Sequence, residues 1–361
     1  MARIALLARA LDRPGGAEKS MLTLKRHLEQ THGHRVHLFG IGSGTQSNGE
    51  RTAVPLLFRR RLYVPAAVGR LGRYTEGFLR FYKKVRRFNP DIVISQHELA
   101  LVGARLRSIE QVSHILLFRD FEMCGQTIEA DRHPVGKAAE KTLWPITYPL
   151  VNYIIQNTDV AIANSQFISK TYKNEWNIDS EVIYPFVEIE DYNVSGAGDQ
   201  ILHVTPTKEK GIDITMGVAE QLPDIEFLVV GGKVTSEIKH QMSKHINVTY
   251  MGYCEDMRTI YRQTKLTLMP SRWNEPFGRI PIESGASGIP TVCSNSGGLP
   301  EAAGINELVV DSENPNDYTT VVELALNNYG KFRDLARKNA ERKRASVELQ
   351  KFDRVLKSIQ I

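Results

Sequence analysis

Residues 271–290 read Ser271-Arg-Trp-Asn-Glu275-Pro-Phe-Gly278-Arg-Ile-Pro-Ile-Glu283-Ser-Gly-Ala-Ser-Gly288-Ile-Pro290. A Pro-Phe-Gly turn lies between Glu275 and Glu283 and leads into the predicted start of a helix. The first N–H groups of a helix lack partners within it, and the dipole is positive there, so such a start attracts phosphate. Carboxylates on either side repel phosphate and suit sugar hydroxyls. The segment therefore favours a ligand with phosphate in its middle and polyhydroxy groups at both ends, as in a nucleotide-sugar.

These residues resemble the Glu-x7-Glu signature of the family 4 retaining glycosyltransferases, and the resemblance extends into Gly288-Ile-Pro-Thr-Val292 and Gly297-Gly-Leu-Pro-Glu301. A Glu-x7-Glu pair alone is common by chance, whereas the three motifs in register are specific. The resemblance implies an α/β fold called GT-B, in which two doubly wound Rossmann-like domains face a cleft. It also implies that the N-terminal domain binds the acceptor and the C-terminal domain binds the nucleotide-sugar donor.

The size and composition of the chain support two globular domains. At 361 residues the chain is longer than one hydrophobic core usually accommodates, and 42% hydrophobic with 24% charged residues is typical of soluble proteins.

The three cysteines, Cys124, Cys254 and Cys293, lie far apart, which favours a reducing compartment without a disulfide framework or zinc site. Arg9 interrupts the apolar N-terminus, so neither a signal peptide nor a spanning helix is expected. The sequence thus predicts a cytoplasmic protein.

Charge is divided unevenly along the chain. Residues 1–160 hold 24 Lys and Arg against 14 Asp and Glu, and the remainder holds 22 against 27. Much of the excess lies in Arg59-Arg-Arg61 and Lys83-Lys-Val-Arg-Arg87. Such a patch attracts an anionic acceptor, anionic lipid at the inner face of the membrane, or nucleic acid, although a solvated helix face explains it equally well. The lack of an aromatic-rich RNA-binding motif disfavours nucleic acid.

Short apolar runs alternate with longer periodic stretches, as in parallel strands joined by helices. The predicted strands form two series of six: Ile4–Leu7, Val36–Gly40, Ile92–Ser95, Ile115–Phe118, Val160–Asn164 and Val182–Tyr184, then Ile201–Thr205, Phe227–Val230, Val248–Met251, Leu266–Met269, Thr291–Cys293 and Leu308–Val310. Because residues 185–200 are the most linker-like stretch, we expect domains at 1–185 and 186–335. The predicted helical segment 336–361 is expected to cross back to the N-terminal domain, as the resemblance implies.

The resemblance assigns roles to the residues of the opening motif. Glu283 is expected to accept hydrogen bonds from the ribose hydroxyls, and Glu275 to contact the transferred sugar and stabilise positive charge at the anomeric carbon. The main-chain N–H groups of Phe277 and Gly278 are expected to face the sugar and the distal phosphate. Arg279 and Ile280 begin the helix and are expected to donate to the diphosphate. The alternative is an ordinary turn with an acid stabilising a helix start, worth about 0.3–1 kcal/mol.

A diphosphate leaving group gains negative charge and needs cations. Residues 205–211, Thr-Pro-Thr-Lys-Glu-Lys-Gly, resemble the family's Gly-Arg-x-x-x-x-Lys-Gly. Lys210 matches the family lysine, whereas Thr205-Pro206 stand where Gly-Arg is usual, in a loop that is one residue shorter than the family pattern. Lys208 is the candidate replacement for the arginine, although a point-charge ammonium cannot reproduce a bidentate guanidinium. For both lysines the alternative is a solvated surface loop.

Two further groups follow predicted strands of the N-terminal half. Gly15-Gly16 precede Glu18 and resemble the family's Gly-Gly-x-Glu, in which backbone approaches the donor; any tight turn would also use glycine here. Arg119-Asp120 stand where many family members have His-Asp. Arginine cannot act as a base near neutral pH, so Arg119 is expected to pair with phosphate or an anionic acceptor, and Asp120 to orient the acceptor hydroxyl. A structural ion pair is the alternative.

Two weaker candidates also lie at strand ends. His97 is expected either in the cleft or as a satisfied surface histidine, and Tyr253 is expected against the nucleotide base. The sequence has no Asp-x-Asp pair and no histidine cluster of metal-ligand spacing, so no cofactor and no divalent metal are expected.

The predicted activity is retaining, hexosyltransferase-type transfer from a nucleotide-diphospho-sugar to an acceptor hydroxyl of a glycan or lipid-linked molecule. The expected setting is glycan, lipopolysaccharide or other glycoconjugate biosynthesis. A nucleotide-sugar epimerase or sugar-phosphate synthase of the same fold is one alternative. A non-catalytic nucleotide-sugar-binding subunit is another, which the missing arginine and the arginine at position 119 favour. The sequence leaves the sugar, the base and the acceptor open.

Overall fold

The computed structural model of the chain describes residues 1–8, 15–40, 71–121, 123–124, 147–194, 198–232 and 234–359. In the helix that begins at residue 71, side chains are described from residue 78. The chain divides into two compact units. The first comprises Met1–Phe186 together with Glu348–Ile361, and the second comprises Val187–Val347.

The first unit contains a six-stranded parallel sheet. Its strands are β1 (Arg3–Ala8), β2 (Arg35–Gly40), β3 (Ile92–Gln96), β4 (Ser113–Phe118), β5 (Val160–Ala163) and β6 (Glu181–Val182). Their order in the sheet is β2-β1-β3-β4-β5-β6, and every pair is parallel. This is a doubly wound order, because the chain leaves β1 on one side for β2 and returns on the other for β3.

Helices connect these strands. They are α1 (Gly16–Gln30), α2 (Leu71–Phe88), α3 (Ala100–Glu110) and α4 (Gln166–Trp176), and residues 147–156 are also helical. The central strands are buried on both faces and read as continuous apolar runs, as parallel strands covered by helices do. Phe81 and Val85 of α2 pack into the same core cluster as Leu7 of β1 and Val93 of β3.

The exposed side of α2 is basic. Lys83, Arg86 and Arg87 are solvent-exposed, while Phe81 and Val85, on the opposite face, are buried. The second basic cluster of the sequence, at 59–61, lies outside the described residues. Across the described ranges, α2 included, no helix combines the length and the apolar character needed to cross a membrane.

The second unit contains another six-stranded parallel sheet. Its strands are β7 (Gln200–Val204), β8 (Phe227–Val230), β9 (Val248–Gly252), β10 (Thr264–Met269), β11 (Thr291–Ser294) and β12 (Val309–Val310). The order is β12-β11-β10-β7-β8-β9, again with every pair parallel. The order reverses at β7, whose two neighbours are β8 and β10. Ligands of such sheets bind beyond the carboxyl ends of the strands at this reversal point.

The connecting helices of this unit vary in length. They are α5 (Ile212–Gln221), α6 (Ser236–Met242), α7 (Met257–Tyr261), α8 (Ile280–Ala286), α9 (Leu299–Ala303), α10 (Pro315–Asn327) and α11 (Tyr329–Arg342). The final helix, α12 (Ala345–Ser358), begins in this unit and continues in the first. One core cluster of this unit joins β7, β10 and β11 to α5, α10 and α11.

The fold class and all twelve predicted strands are confirmed, with shifts at their ends. The end of β6 is shifted by two residues, since this strand was predicted to reach Tyr184 but ends at Val182. The Tyr184 N–H leaves the ladder because it donates to the Glu348 carboxylate of α12 at 2.8 Å. In the last strand, Leu308 belongs to a 3-10 turn instead, since its N–H donates to the Ile305 carbonyl at 3.0 Å.

Glu348 also holds α12 against the first unit. Its side chain is 0% exposed and accepts a second hydrogen bond, from the Lys351 ammonium at 2.7 Å. That ammonium lies 5.0 Å from the centroid of the Tyr184 ring. A buried carboxylate needs such partners, because an unpaired charge in the interior is costly.

Two histidines are buried in the central strands, one in each unit. The Nδ1–H of His114 donates to the Asn157 carbonyl at 2.7 Å, so its Nε2 accepts from the Ser95 hydroxyl, also at 2.7 Å. His203 Nδ1 lies 2.8 Å from the Thr215 hydroxyl. Burial lowers the pKa of each imidazole from its ordinary 6.5 to about 4.

These pKa values predict acid lability. Since both folded-state pKa values are depressed, the stability is fully present above pH 6.5 and is lost as the pH falls towards 4. Each histidine should lower the free energy of unfolding of its unit by about 1 kcal/mol per pH unit in this window. Urea unfolding at pH 7 and pH 5 measures the change. The His240→Gln variant, which removes an exposed histidine, should keep the same dependence; equal stability of wild type at the two pH values would contradict the prediction.

Candidate active site

Three loops of the second unit begin at the carboxyl ends of neighbouring strands. They follow β7 at Thr205, β10 at Pro270 and β11 at Asn295. Because β7, β10 and β11 are adjacent and parallel, the three loops share one edge of the sheet. This edge includes the reversal point beside β7, where the fold places ligands.

The first two loops are joined through one backbone carbonyl. The carbonyl of Glu209 accepts hydrogen bonds from the N–H groups of Arg272 at 2.9 Å and Trp273 at 3.1 Å, and from the Ser271 hydroxyl at 3.3 Å. The Ser271 carbonyl in turn accepts from the Ser294 hydroxyl, at the end of β11, at 2.6 Å. These bonds fix the Lys208–Lys210 turn against the segment that leads to Glu275.

Arg272 strengthens this junction with its side chain. Its guanidinium donates to both carboxylate oxygens of Asp213 at 2.7 and 2.8 Å, to Glu313 at 2.8 Å and to the Lys208 carbonyl at 3.0 Å. Burial pushes the pKa of Asp213 up, but the hydrogen bonds and the charge of Arg272, together with backbone hydrogen bonds, hold that pKa below its usual value. A planar guanidinium suits such a fork, which a lysine could not form.

Lys210 and Glu275 meet at this edge. The Lys210 ammonium forms an ion pair with Glu275 Oε1, and both side chains are largely buried. Lys210 reaches this point from a single 3-10 turn, Lys208–Lys210, capped by the Thr207 hydroxyl. The structure therefore brings together two of the residues predicted from separate motifs, 65 positions apart.

The backbone of Glu275 is paired with the third loop. Glu275 and Gly297 form an isolated parallel β-bridge, and the Gly298 N–H donates to the Glu275 carbonyl at 2.7 Å. Gly297 has φ +64°, and a Cβ there would overlap the Glu275 carbonyl; a Cβ at Gly298 would lie 2.6 Å from the Pro276 carbonyl oxygen. The paired glycines are thus needed because two backbones touch where side chains would stand.

Glu283 lies in the first turn of α8 and is buried. Its Oε1 accepts from Arg279 Nε at 3.1 Å, and its Oε2 accepts from the Tyr261 hydroxyl at 3.2 Å. Burial, followed by the charge of Glu283, raises the pKa of Tyr261 and of Tyr192. Both phenols therefore stay protonated, and Tyr261 remains a donor. The carboxylate still has lone pairs for further hydroxyl donors.

The turn between the two glutamates is anchored by its own side chains. Phe277 is 1% exposed, and Ile280 packs against the cluster that contains Met269, Cys293 and Leu299. Gly278 has φ +97°, a conformation that favours glycine. Because the side chains of Phe277 and Ile280 point into the core, the backbone of this turn is held in one position.

Other predicted donor residues of this unit lie on the surface. The Lys208 ammonium is paired with exposed Glu237 at 3.2 Å, so the structure does not bring it to Glu275. Tyr253 follows β9 and is 79% exposed. Thr205 has φ +67°, which is rare for a β-branched residue and costs about 1–3 kcal/mol.

The glycine pair of the first unit opens α1. The Gly15 N–H donates to Glu18 Oε2 at 3.1 Å, and the Gly15 carbonyl accepts the first helical hydrogen bond, from Lys19 N at 3.0 Å. Glu18 therefore caps the start of the helix, as the acid of a capping box does. Gly16 is the first residue of α1.

Arg119 and Asp120 follow β4, also in the first unit. The Asp120 Oδ2 lies 3.3 Å from His97 Nδ1, and the Asp120 carbonyl accepts from the Tyr172 hydroxyl at 3.0 Å. His97 is 9% exposed and has φ +54°. The expectation of a surface histidine is therefore wrong. The Arg119 carbonyl accepts from the Asn164 side chain at 3.0 Å, which fixes the backbone of this turn.

Sequence reasoning missed Arg272 and Tyr261. Arg272 lies within the opening motif, but its partners Asp213 and Glu313 are 59 and 41 positions away. Tyr261 belongs to the short α7, and its contact with Glu283 spans 22 positions. No local pattern signals either contact, since both depend on which strands are neighbours in the sheet.

Comparisons with known proteins agree with this geometry. The family model "Glycosyltransferase Family 4" matches residues 14–191, and the model "Glycosyl transferases group 1" matches residues 203–343. The chain belongs to the family 4 glycosyltransferases. The second match includes all three loops at the β7, β10 and β11 edge.

Relatives of this glycosyltransferase are distant. The D-inositol 3-phosphate glycosyltransferase of a Mycobacterium species (strain KMS) is 25% identical over 224 residues, which are 54% of this chain and 49% of that protein. The chain thus spans about half the length of the curated relatives it matches.

Solved structures match over nearly the whole chain. Anabaena HepE, in complex with UDP and glucose, has a TM-score of 0.76 at 17% identity and covers 99% of this chain and 100% of its own. Sucrose-phosphate synthase from Thermosynechococcus elongatus has a TM-score of 0.71 at 19% identity, with 99% and 100% covered. At these identities the likeness shows the GT-B fold.

Because Gly297 touches the Glu275 carbonyl, we predict a large difference in stability between two glycine substitutions. Gly297→Ala should lower the free energy of unfolding by about 2–4 kcal/mol, because it adds a left-handed alanine and a clash with backbone. The matched control, Gly330→Ala in α11, meets nothing within 4 Å and should stabilise by about 0.5–1 kcal/mol. Urea unfolding measures both. A Gly297→Ala variant as stable as wild type would refute the contact.

Proposed function

We propose that this protein transfers a hexosyl group, with retention of anomeric configuration, from a nucleotide-diphospho-sugar to an acceptor hydroxyl. The observation that carries the proposal is the Lys210–Glu275 pair at the β7 and β10 strand ends of a family 4 glycosyltransferase. It sets one cation and one carboxylate side by side at the reversal point of the sheet. A diphospho-sugar offers the matching pair of groups, an anionic diphosphate and a polyhydroxy ring.

Lys210 is proposed to neutralise the diphosphate. Its ammonium forms an ion pair with one carboxylate oxygen, Glu275 Oε1. A diphosphate carries more negative charge than one carboxylate and competes for the ammonium. Transfer of Lys210 to the phosphates leaves Glu275 facing the sugar, where its charge stabilises the positive charge that develops at the anomeric carbon. The ion pair thus sets the cation for the diphosphate beside the carboxylate for the sugar.

Glu283 is proposed to bind the nucleotide ribose. Its two current donors, Arg279 and the Tyr261 hydroxyl, leave acceptor capacity for two ribose hydroxyls. The backbone N–H groups at Phe277, Gly278 and Ile280 are proposed to face the sugar and the diphosphate.

Two further residues of the second unit belong to the proposed donor site. Tyr253 is proposed to lie against the base, since it offers an exposed ring after β9. Lys208 is proposed as a secondary contact, because its amine already has a partner. HepE is described in complex with UDP-glucose, so that nucleotide-sugar is the first donor to test.

The first unit is proposed to hold the acceptor. His97 Nδ1 lies close to Asp120 Oδ2, so the imidazole and carboxylate orient each other. Asp120 is proposed to orient the acceptor hydroxyl, and Arg119 to pair with an anionic group of the acceptor.

In the proposed reaction the acceptor oxygen attacks the anomeric carbon on the face that the donor phosphate leaves. The carbon–oxygen bond to the diphosphate breaks, and the departing diphosphate takes the acceptor proton. The negative charge gained by the diphosphate is stabilised by Lys210 and backbone amides, so we propose that the transfer itself needs no divalent metal.

The proposed function is tested with a panel of UDP-, GDP- and ADP-sugars, in the presence and absence of glycan and lipid-linked acceptors. We expect the donor to be consumed only when an acceptor is present. This consumption should persist in EDTA at a temperature where the chain is folded, and NMR should show a product of retained configuration. Change of the sugar without acceptor would identify an epimerase instead. Calorimetric binding without donor consumption would identify a non-catalytic subunit, and inversion would exclude the retaining mechanism.

Substitution of the two glutamates should separate binding from turnover. Glu283→Gln should weaken nucleotide binding by about 10- to 100-fold, since a charged hydrogen bond contributes about 1.5–3 kcal/mol. Glu275→Gln should lower kcat more than it raises the nucleotide Kd, because its charge acts on the transition state.

Calorimetry and initial rates on the same preparations give both numbers. Glu307→Gln is the matched control, as Glu307 is an exposed acid paired with Lys331, and it should behave as wild type. Wild-type binding and turnover in both site variants would reject the assignment of these residues.

Basic residues of α2 should bind anionic membranes. Lys83→Glu/Arg87→Glu should weaken association with phosphatidylserine-containing vesicles, because each basic residue near the surface contributes about 1 kcal/mol. Wild-type association should also fall between low and physiological salt. Lys170→Glu, an exposed lysine of α4, serves as control. If neither salt nor the double substitution changes vesicle binding, contact of α2 with anionic membranes is excluded.

A further inference from the structure

A cluster of histidines lies between the end of α1 and the final helix, within the first unit. His27 Nε2 lies 2.8 Å from Asp353 Oδ1, and His32 Nε2 lies 2.9 Å from the same oxygen. The histidines flank the last turn of α1, whereas Asp353 comes from α12, more than 320 positions further along the chain. None of these residues belongs to the proposed donor or acceptor sites.

We propose that His27, His32 and Asp353 bind one divalent transition metal ion, with Zn²⁺ as the expected metal. The three ligand atoms lie within 4.8 Å of one another, the only such group of His, Cys, Asp or Glu in the part of the chain that the structure describes. Imidazole and carboxylate are ligands of Zn²⁺ and of Co²⁺ or Ni²⁺, and water fills the remaining positions.

The arrangement differs from a simple pair of hydrogen bonds. Two imidazoles converge on one oxygen, Asp353 Oδ1, instead of taking one carboxylate oxygen each. Ligand atoms bound to zinc at about 2.0–2.2 Å in a tetrahedron lie about 3.3–3.5 Å apart. The two nitrogen–oxygen separations need to widen by only about 0.5 Å, which small side-chain rotations supply.

The surroundings favour the ligand form of the imidazoles. A histidine that binds metal through Nε2 carries its proton on Nδ1 and donates it to a second group. His27 Nδ1 lies 3.3 Å from the Thr31 hydroxyl, whose oxygen can accept a hydrogen bond from the Nδ1–H group. The His32 ring is edge-on to His27 at 5.1 Å and stacked on His34 at 5.8 Å, and His34 Nδ1 accepts from the Ala2 N–H at 3.1 Å. The ring planes are therefore positioned by packing.

Access and position suit a structural ion. The side chains of His27, His32 and Asp353 are 15%, 27% and 18% exposed, so an ion can enter and keep a water ligand. The ion would tie α12 to α1, adding to the anchor at Glu348 five residues earlier. Its proposed effect is to hold the returning C-terminal helix on the first unit.

The test uses the full chain without an affinity tag, stripped with chelator and dialysed. Titration with Zn²⁺ in a calorimeter should give one site per chain, and Co²⁺ should give visible absorption bands at the same stoichiometry. Zn²⁺ should also slow amide hydrogen exchange in α12. His32→Gln should weaken Zn²⁺ binding by about tenfold or more, and Thr31→Val should weaken it through loss of the Nδ1 partner.

A second test variant and one control keep the result interpretable. Asp353→Asn is isosteric and keeps a hydrogen-bonding group, so it tests the ligand even if His32→Gln lowers stability. His240→Gln removes an exposed histidine of α6 and should bind Zn²⁺ as wild type does. The proposal is overturned if wild type binds no Zn²⁺, or if His32→Gln and Asp353→Asn bind it with wild-type affinity. Unchanged exchange of α12 on Zn²⁺ binding would reject the anchoring role.

Discussion

Backbone contact between the three loops at the β7, β10 and β11 ends is the constraint on which the candidate site depends. Gly297 and Gly298 lie directly on the carbonyls of Glu275 and Pro276, and the Glu209 carbonyl collects three donors from the segment before Glu275. These contacts involve atoms that every residue possesses, so the loops can meet only where side chains are absent or turned away. The positions of Lys210 and Glu275 follow from that contact.

At this site each of the two motif glutamates forms an ion pair with a different basic residue. Glu275 is paired with Lys210, and Glu283 with Arg279. The pairs differ in their other partners. The buried phenol of Tyr261 adds a second donor to Glu283, which keeps that carboxylate oriented, whereas Lys210 approaches from a separate loop and can move to another anion. The proposed function assigns ribose binding to Glu283, and to Glu275 a lysine that transfers to the diphosphate.

Two departures from the family pattern lie at strand ends. Thr205, which follows β7 where the family has glycine, takes a left-handed backbone conformation that is rare for a β-branched residue. In the first unit Arg119 takes the histidine position, yet a histidine still reaches Asp120, because His97 comes from the end of the neighbouring strand β3.

The sequence by itself determined the twelve strands, the doubly wound class and the residues of the Glu275–Glu283 motif, because apolar runs and glycine turns are local signals. Only the tertiary structure decided that Lys210 pairs with Glu275, whereas Lys208 pairs with Glu237. The same holds for the hydrogen bond from the Tyr261 hydroxyl to Glu283 and for the contact of His27 and His32 with Asp353. These contacts join positions 22 to 326 residues apart. Which distant side chains meet depends on strand order and on helix packing, and neither leaves a local pattern in the chain.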